Sequence, residues 1–306
     1  MRADDIILAQ RLPVEAVPAP SANRFPDDAH FRVEIPSVEG PGVLAAVLDE
    51  AAKRGVMVNR VSQGSGAMLH TNDELKEMSK IGADAGLEVS LFVGPREEWG
   101  INAMSRAESG GAVAAGARGL RQLRYSVEDV LRAVDAGIRG FLVADLGLLS
   151  VLNQAQIAGQ IPADVIWKVS VMLAPSNPAT ITVLENLGAD TINLPTDLSL
   201  AELSEMRSVT GLPLDLYLEA PDALGGVVRG EQIADIVGVA APLYAKFGLR
   251  NSRGLYPSGL HLQHDAEAIA REKVRRAQIA LEWLERSGVE LTQSGAGAQG
   301  LGIPQA

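Results

Sequence analysis

Residues 179–219 read ATITVLENLGADTINLPTDLSLAELSEMRSVTGLPLDLYLE, and this stretch decides the fold. Residues 179–187 place apolar side chains at helical spacing. They end in Asn186-Leu187-Gly188-Ala189-Asp190, a small-residue turn whose glycine suits a left-handed helix cap. A β-type run follows at once over 191–195. Residues 199–209 are again helical, and 214–219 alternate apolar and polar side chains with the period of a strand. Helix and strand alternating at this pace, through short turns, is the unit of a parallel sheet with helical crossovers.

The same rhythm runs outward in both directions. Strands are expected at 31–36, 57–63, 88–93, 140–145, 166–172, 191–195, 214–219 and 243–248. Helices are expected at 42–54, 73–85, 127–136, 179–187, 199–209 and 231–240. That strand count, each strand with its own crossover, closes a (β/α)8 TIM barrel rather than leaving an open sheet. The 306 residues suit one barrel of about 250 residues with two extensions. Residues 31–263 form the barrel in this reading, and 1–30 an arm rich in Pro, Ala and Asp that covers its bottom. Residues 264–287 form a charged amphipathic helix, and the Gly/Gln-rich 294–306 a disordered tail. One interval is too long: 95–125 carries Arg96, Arg106, Arg118, Arg121 and Arg124 and is expected over the carboxyl-end mouth as lid or substrate wall.

Composition narrows the function. A net charge of −11 argues against nucleic acid, whose phosphates call for Lys/Arg stripes. With no cysteine, Cys-bound zinc, iron–sulfur clusters and thiol nucleophiles are excluded. No apolar run is long enough for a membrane span, and the first residues lack a secretory pattern, so a cytoplasmic protein is expected. The partner expected is a small-molecule substrate; a homo-oligomer stays open.

Alternation then assigns faces. On 214–219, Leu214, Leu216 and Leu218 face the helices, while Asp215, Tyr217 and Glu219 face the lumen. Likewise Arg32 and Glu34, Lys168, Asn193 and Lys246 point inward, with Asp145 and Arg60 less cleanly so. Barrel interiors are ordinarily packed with branched apolar residues, so a lumen of Glu34, Asp145, Lys168, Asn193, Tyr217, Glu219 and Lys246 points to a polar active site. The bland alternative is a set of structural ion pairs joining Lys168 and Lys246 to Glu34 and Glu219.

Glu34, Asp145, Lys168, Glu219 and Lys246 are the candidate acid, base and electrostatic groups, with Arg60, Asn193, Tyr217 and Arg250 positioning substrate. A desolvated lysine can attack a carbonyl to form a Schiff base, and a paired one clamps a carboxylate. The clamp is expected for Lys246, and the nucleophile stays open for Lys168 alone. Glu34, Asp145 and Glu219 could instead hold Mg²⁺ or Mn²⁺. His70 precedes Thr71, a helix N-cap candidate; His261 and His264 lack a third ligand. The loop Gly248–Gly254, with Arg250 and Arg253, fits a phosphate or carboxylate.

Three stretches together resemble U32-peptidase-like barrel proteins. They are Gly188-Ala189-Asp190-Thr191-Ile192-Asn193-Leu194-Pro195, Tyr217-Leu218-Glu219-Ala220-Pro221-Asp222, and residues 241–251 with Tyr256-Pro257-Ser258-Gly259. The likeness spans about 31–264 and departs from better-known members in lacking their cysteine-bearing segment. It implies a barrel and hydrolysis of an amide-like bond, while the charged lumen itself points to a small, polar, anionic substrate. The lumen chemistry by itself leaves two alternatives: a Schiff-base or metal-assisted C–C lyase or isomerase, and a non-catalytic ligand-binding barrel.

Overall fold

The computed structural model describes residues 3–10, 16–108 and 110–305. Its strands are β1 (Phe31–Pro36), β2 (Arg60–Ser62), β3 (Glu88–Phe92), β4 (Gly140–Val143), β5 (Ile166–Val169), β6 (Thr191–Asn193), β7 (Leu214–Glu219) and β8 (Leu243–Phe247). All pair in parallel in sequence order, and β8 closes on β1, giving the (β/α)8 TIM barrel. The helices are α1 (Ala3–Ala9), α2 (Pro41–Arg54), α3 (Asn72–Ala85), α4 (Gly111–Ala114), α5 (Gly119–Asp135), α6 (Leu146–Ile157), α7 (Pro178–Asn186), α8 (Leu200–Ser208), α9 (Ile233–Ala240) and α10 (Gln263–Ser287).

Local chemistry sets the ends of these elements. Asn177 caps α7 by accepting from Thr180 N, and Pro178 occupies the first helical position, where its missing N–H costs nothing. Thr71 with Glu74, and Ser199 with Glu202, form capping boxes at α3 and α8. Between α7 and β6, Gly188 has φ 95° and lies against Asn153, so a side chain there would meet both strain and a clash.

The side chains facing outward, among them Val33, Ile35, Trp167, Val169, Ile192, Leu214, Leu216, Leu218 and Phe247, are buried in one apolar layer beneath the helices. α5 starts at Gly119 rather than 127, so the insertion ends at Arg118 and Arg121 and Arg124 belong to a helix. That insertion crosses the carboxyl ends of the strands. Arg96 lies 3.9 Å over the Phe92 ring and donates to Gly64 O at 2.6 Å, while Ala117 N donates to Asp145. Ser109 falls outside the described residues.

The opposite end is closed by the chain's extensions. Phe25 packs on Tyr244, and the Arg32 guanidinium lies 4.0 Å over the Phe25 ring while donating to Ser294, Tyr244 and Gln299 O. The expected disorder of the tail does not hold there: Gly302 N donates to Glu88 at 3.1 Å and Gln305 N to Gly137 O at 2.8 Å. A Gly/Gln-rich segment has little apolar surface to bury, but its backbone groups satisfy charges that the barrel would otherwise leave unpaired.

Candidate active site

The strand registers stack the inward side chains in layers drawn from alternate strands, as barrels of this kind do. Arg60, Gly140, Thr191 and Tyr244 form a lower layer, with Arg32 and Glu88 beneath it. Glu34, Ser90, Lys168 and Asp215 form the middle one. Ser62, Leu142, Asn193 and Lys246 lie above, and Pro36, Phe92, Ser170 and Tyr217 border the mouth.

Glu34 is the hub. Both its carboxylate oxygens accept from Lys168 Nζ. It also accepts from Ser62 Oγ at 2.6 Å and from Arg60 Nη1 at 3.2 Å, and Lys246 Nζ stands 3.3 Å from Oε1. Asp215 lies 3.0 Å from both Lys168 Nζ and Arg60 Nη1. Arg60 continues downward to Glu88 at 2.6 Å, with its guanidinium 3.3 Å over the Tyr244 ring. These charged groups are at most 1% exposed.

Burial alone would raise the Glu34 carboxyl, but Lys168, Lys246 and Arg60 together hold it well below the usual range. Burial lowers Lys168 to about 8, against the pull of Asp215 and Glu34. Burial, reinforced by Glu34 and Asp215, pushes the Tyr217 hydroxyl far up, so it is a neutral donor. In the two mouth-side layers Lys246 is the one charged side chain among the described residues. It stands 4.4 Å from the Tyr217 ring centroid. Asn193 Oδ1 and Ser90 Oγ are buried without a hydrogen-bond partner among the described residues.

Of the expected site residues, Glu34, Lys168, Asn193, Tyr217 and Lys246 therefore converge. The others do not. Asp145 is the N-cap of α6: Oδ1 accepts from Leu148 N at 2.8 Å and Oδ2 from Ala117 N at 3.0 Å, which occupies it outside the lumen. Glu219 is turned out by a register shift between Tyr217 and Glu219, which sets it beside Phe247, a residue of the outer apolar layer. Its carboxylate accepts from Arg250 N at 3.0 Å and faces Arg276 of α10 at 3.6 Å. Arg60 is sealed among Glu34, Glu88 and Asp215, too deep to touch substrate. Arg250 is exposed and its guanidinium lies 3.8 Å from Asp222, and Arg253 pairs with Asp265. Glu34, Asp145 and Glu219 thus share no metal site, and no cluster of three or more His, Asp or Glu among the described residues is placed to hold one.

Three contributors were not singled out as site residues from the sequence. Asp215 reads as an inward position and Ser62 shares the face of Arg60 two residues on, and only their contacts to Lys168 and Glu34 give them weight. Arg96 gave no signal beyond its place among the insertion's arginines.

Residues 120–220 match the profile of peptidase family U32. No curated protein matches the chain. Similar solved structures include the U32 peptidase Mk0906, 18% identical over 69% of this chain and 74% of that one, with TM-score 0.42. Another is a 2,3-dimethylmalate lyase, 12% identical over 86% of this chain and 85% of that one, with TM-score 0.47. A putative lyase/mutase from Burkholderia cenocepacia J2315 is 14% identical over 85% and 84%, with TM-score 0.45. No helix among the described residues is long and apolar enough to cross a membrane. The chain is thus a closed (β/α)8 barrel whose residues 120–220, spanning β4 to β7, are similar to peptidase family U32.

Proposed function

We propose that this barrel is an enzyme that draws a small, carboxylate-bearing molecule into its mouth and hydrolyses an amide-like bond in it. The observation that carries this reading is the Lys246 ammonium, the one charged side chain of the two mouth-side strand layers among the described residues, set among Ser62, Asn193 and Tyr217. In a space so poor in water an anion gains far more from a fixed cation than it would in solution. Asn193 and Tyr217 supply polar contacts that orient the substrate. Ser62 Oγ, Glu34 and Lys168 form a hydrogen-bonded line from the mouth to an ammonium whose pKa, near 8, allows proton transfer close to neutral pH. The amide-like bond is taken from the likeness to family U32.

A panel of N-acylamino acids and small peptides tests it. Lys246→Met is expected to raise KM about 10- to 100-fold on any substrate found, the range for losing a charged hydrogen bond. An unchanged KM in that variant would sink the assignment. A second reading, a ligand-binding barrel without catalysis, is favoured by the way Glu34, Asp215, Arg60 and Lys168 occupy one another. Carboxylates that stabilise the protein against heat while no panel member is turned over would select it. Lysine trapping by borohydride with keto acids would instead select the Schiff-base lyase through Lys168.

A further inference from the structure

Away from the lumen, a cavity of about 550 Å³ opens on the rim, where the β1–α2 and β2–α3 connections meet the amino end of α10. No side chain of the lumen layers lines it. Its charged lining residues are Glu39, Glu74 and Glu77, and among the described residues no lysine or arginine joins them. His70 also lines it, with its side chain only 6% exposed. Nδ1 stands 3.8 Å from Glu74, and Nε2 has no hydrogen-bond partner among the described residues. Gly40, another wall residue, packs beside this ring edge: a side chain there would come within 3.7 Å of the adjoining Cε1.

Burial lowers the His70 pKa, so the imidazole is neutral at neutral pH. With a carboxylate beside Nδ1, the favoured tautomer carries its proton there and leaves Nε2 as an acceptor. The ligand must then bring a donor. Two fields compete over its charge. The amino end of α2 has no side-chain cap and offers roughly half a positive charge to an anion. Glu39 already takes the amide hydrogens of Gly64 and Ser65, and burial raises its carboxyl; Glu74 is engaged by Thr71. Lys273 near Glu39 and Arg132 near His70 temper the field from behind the wall. Glu74 and Glu77 still face the space with whole charges, and a chain of net charge −11 draws cations to it.

We propose that this rim cavity binds a small molecule carrying a primary ammonium group, with His70 Nε2 accepting one N–H and Glu74 and Glu77 supplying the counter-charge. The volume is that of a small-ligand site.

The test uses the full chain labelled with ¹⁵N-histidine, which has only four histidines to resolve, titrated at constant ionic strength with ethylammonium chloride or sodium acetate. Ethylammonium should shift the His70 Nε2 resonance saturably and acetate should not. By calorimetry, His70→Phe should weaken ethylammonium binding at least about fivefold, the cost of one hydrogen bond. Glu77→Gln, on an exposed helix face that tolerates substitution, should weaken it about two- to fivefold. A saturable response to acetate, no saturable response to ethylammonium, or unchanged affinity in Glu77→Gln would each overturn the proposal.

Discussion

Lys168 illustrates how little a side chain's identity says until its partners are known. Alternation along β5 is enough to aim it into the lumen, and the same rule brings Glu34, Tyr217 and Lys246 there from their own strands. What alternation cannot supply is the neighbour across the barrel. Lys168 lies between Glu34 and Asp215, so replacing it by Met removes a counter-charge as well as an amine. Lys168→Met is expected to destabilise the fold by about 3–5 kcal/mol at neutral pH, since it strands buried carboxylates. Urea unfolding measures this, and a cost below about 1 kcal/mol would mean the pairs matter little. The pH dependence has a definite sign. The folded chain releases the Lys168 proton near 8 and the unfolded chain near 10.5, so between these values the unfolded state binds more protons. Stability of the wild type relative to Lys168→Met should therefore rise from about pH 8 to 10.5. On the acid side, the depressed Glu34 carboxyl contributes stability above pH 4.5 that is lost as pH falls further.

At the level of elements, short-range signals located most of the barrel and failed where one element borrows from another. β1 and β7 begin and end where their alternation does. The register shift at the end of β7 left no mark that alternation could detect, and it moves Glu219 to the other face. α6 was missed because Leu146, Leu148, Leu149, Val151 and Leu152 crowd its early turns without a clean polar stripe. Its starting residue, Asp145, was consequently assigned to the lumen instead of to a cap. Asp145→Asn keeps an acceptor for Leu148 N, so activity should stay within about twofold of wild type, whereas Asp145→Ala should cost about 1 kcal/mol of stability. A hundredfold fall in kcat for Asp145→Asn would restore a catalytic role. At the α7–β6 turn, Gly188→Ala should cost about 1–3 kcal/mol by thermal unfolding, because the backbone is left-handed and Asn153 fills the space.

Across the whole molecule, the strand count and crossover rhythm were legible because each unit repeats the same local grammar. The arm's place at the amino end was legible too, but the tail's part in closing it was not, since that depends on contacts between residues 267 positions apart, such as Arg32 and Gln299. Deleting residues 294–306 should therefore destabilise the barrel by about 3 kcal/mol or more, because the charge-assisted hydrogen bonds that Ser294 and Gln299 make to Arg32 and that Gly302 makes to Glu88 are lost together. A truncated chain that melts with the full one would show the tail to be an ornament. The same closure governs traffic. Phe25, Arg32 and the tail stopper one end of the tube, and the lumen below Glu34 is filled with paired charge. Whatever enters past Lys246 must leave by the door it came in through. For the enzyme proposed above, such a cul-de-sac makes products compete with incoming substrate for the one vestibule.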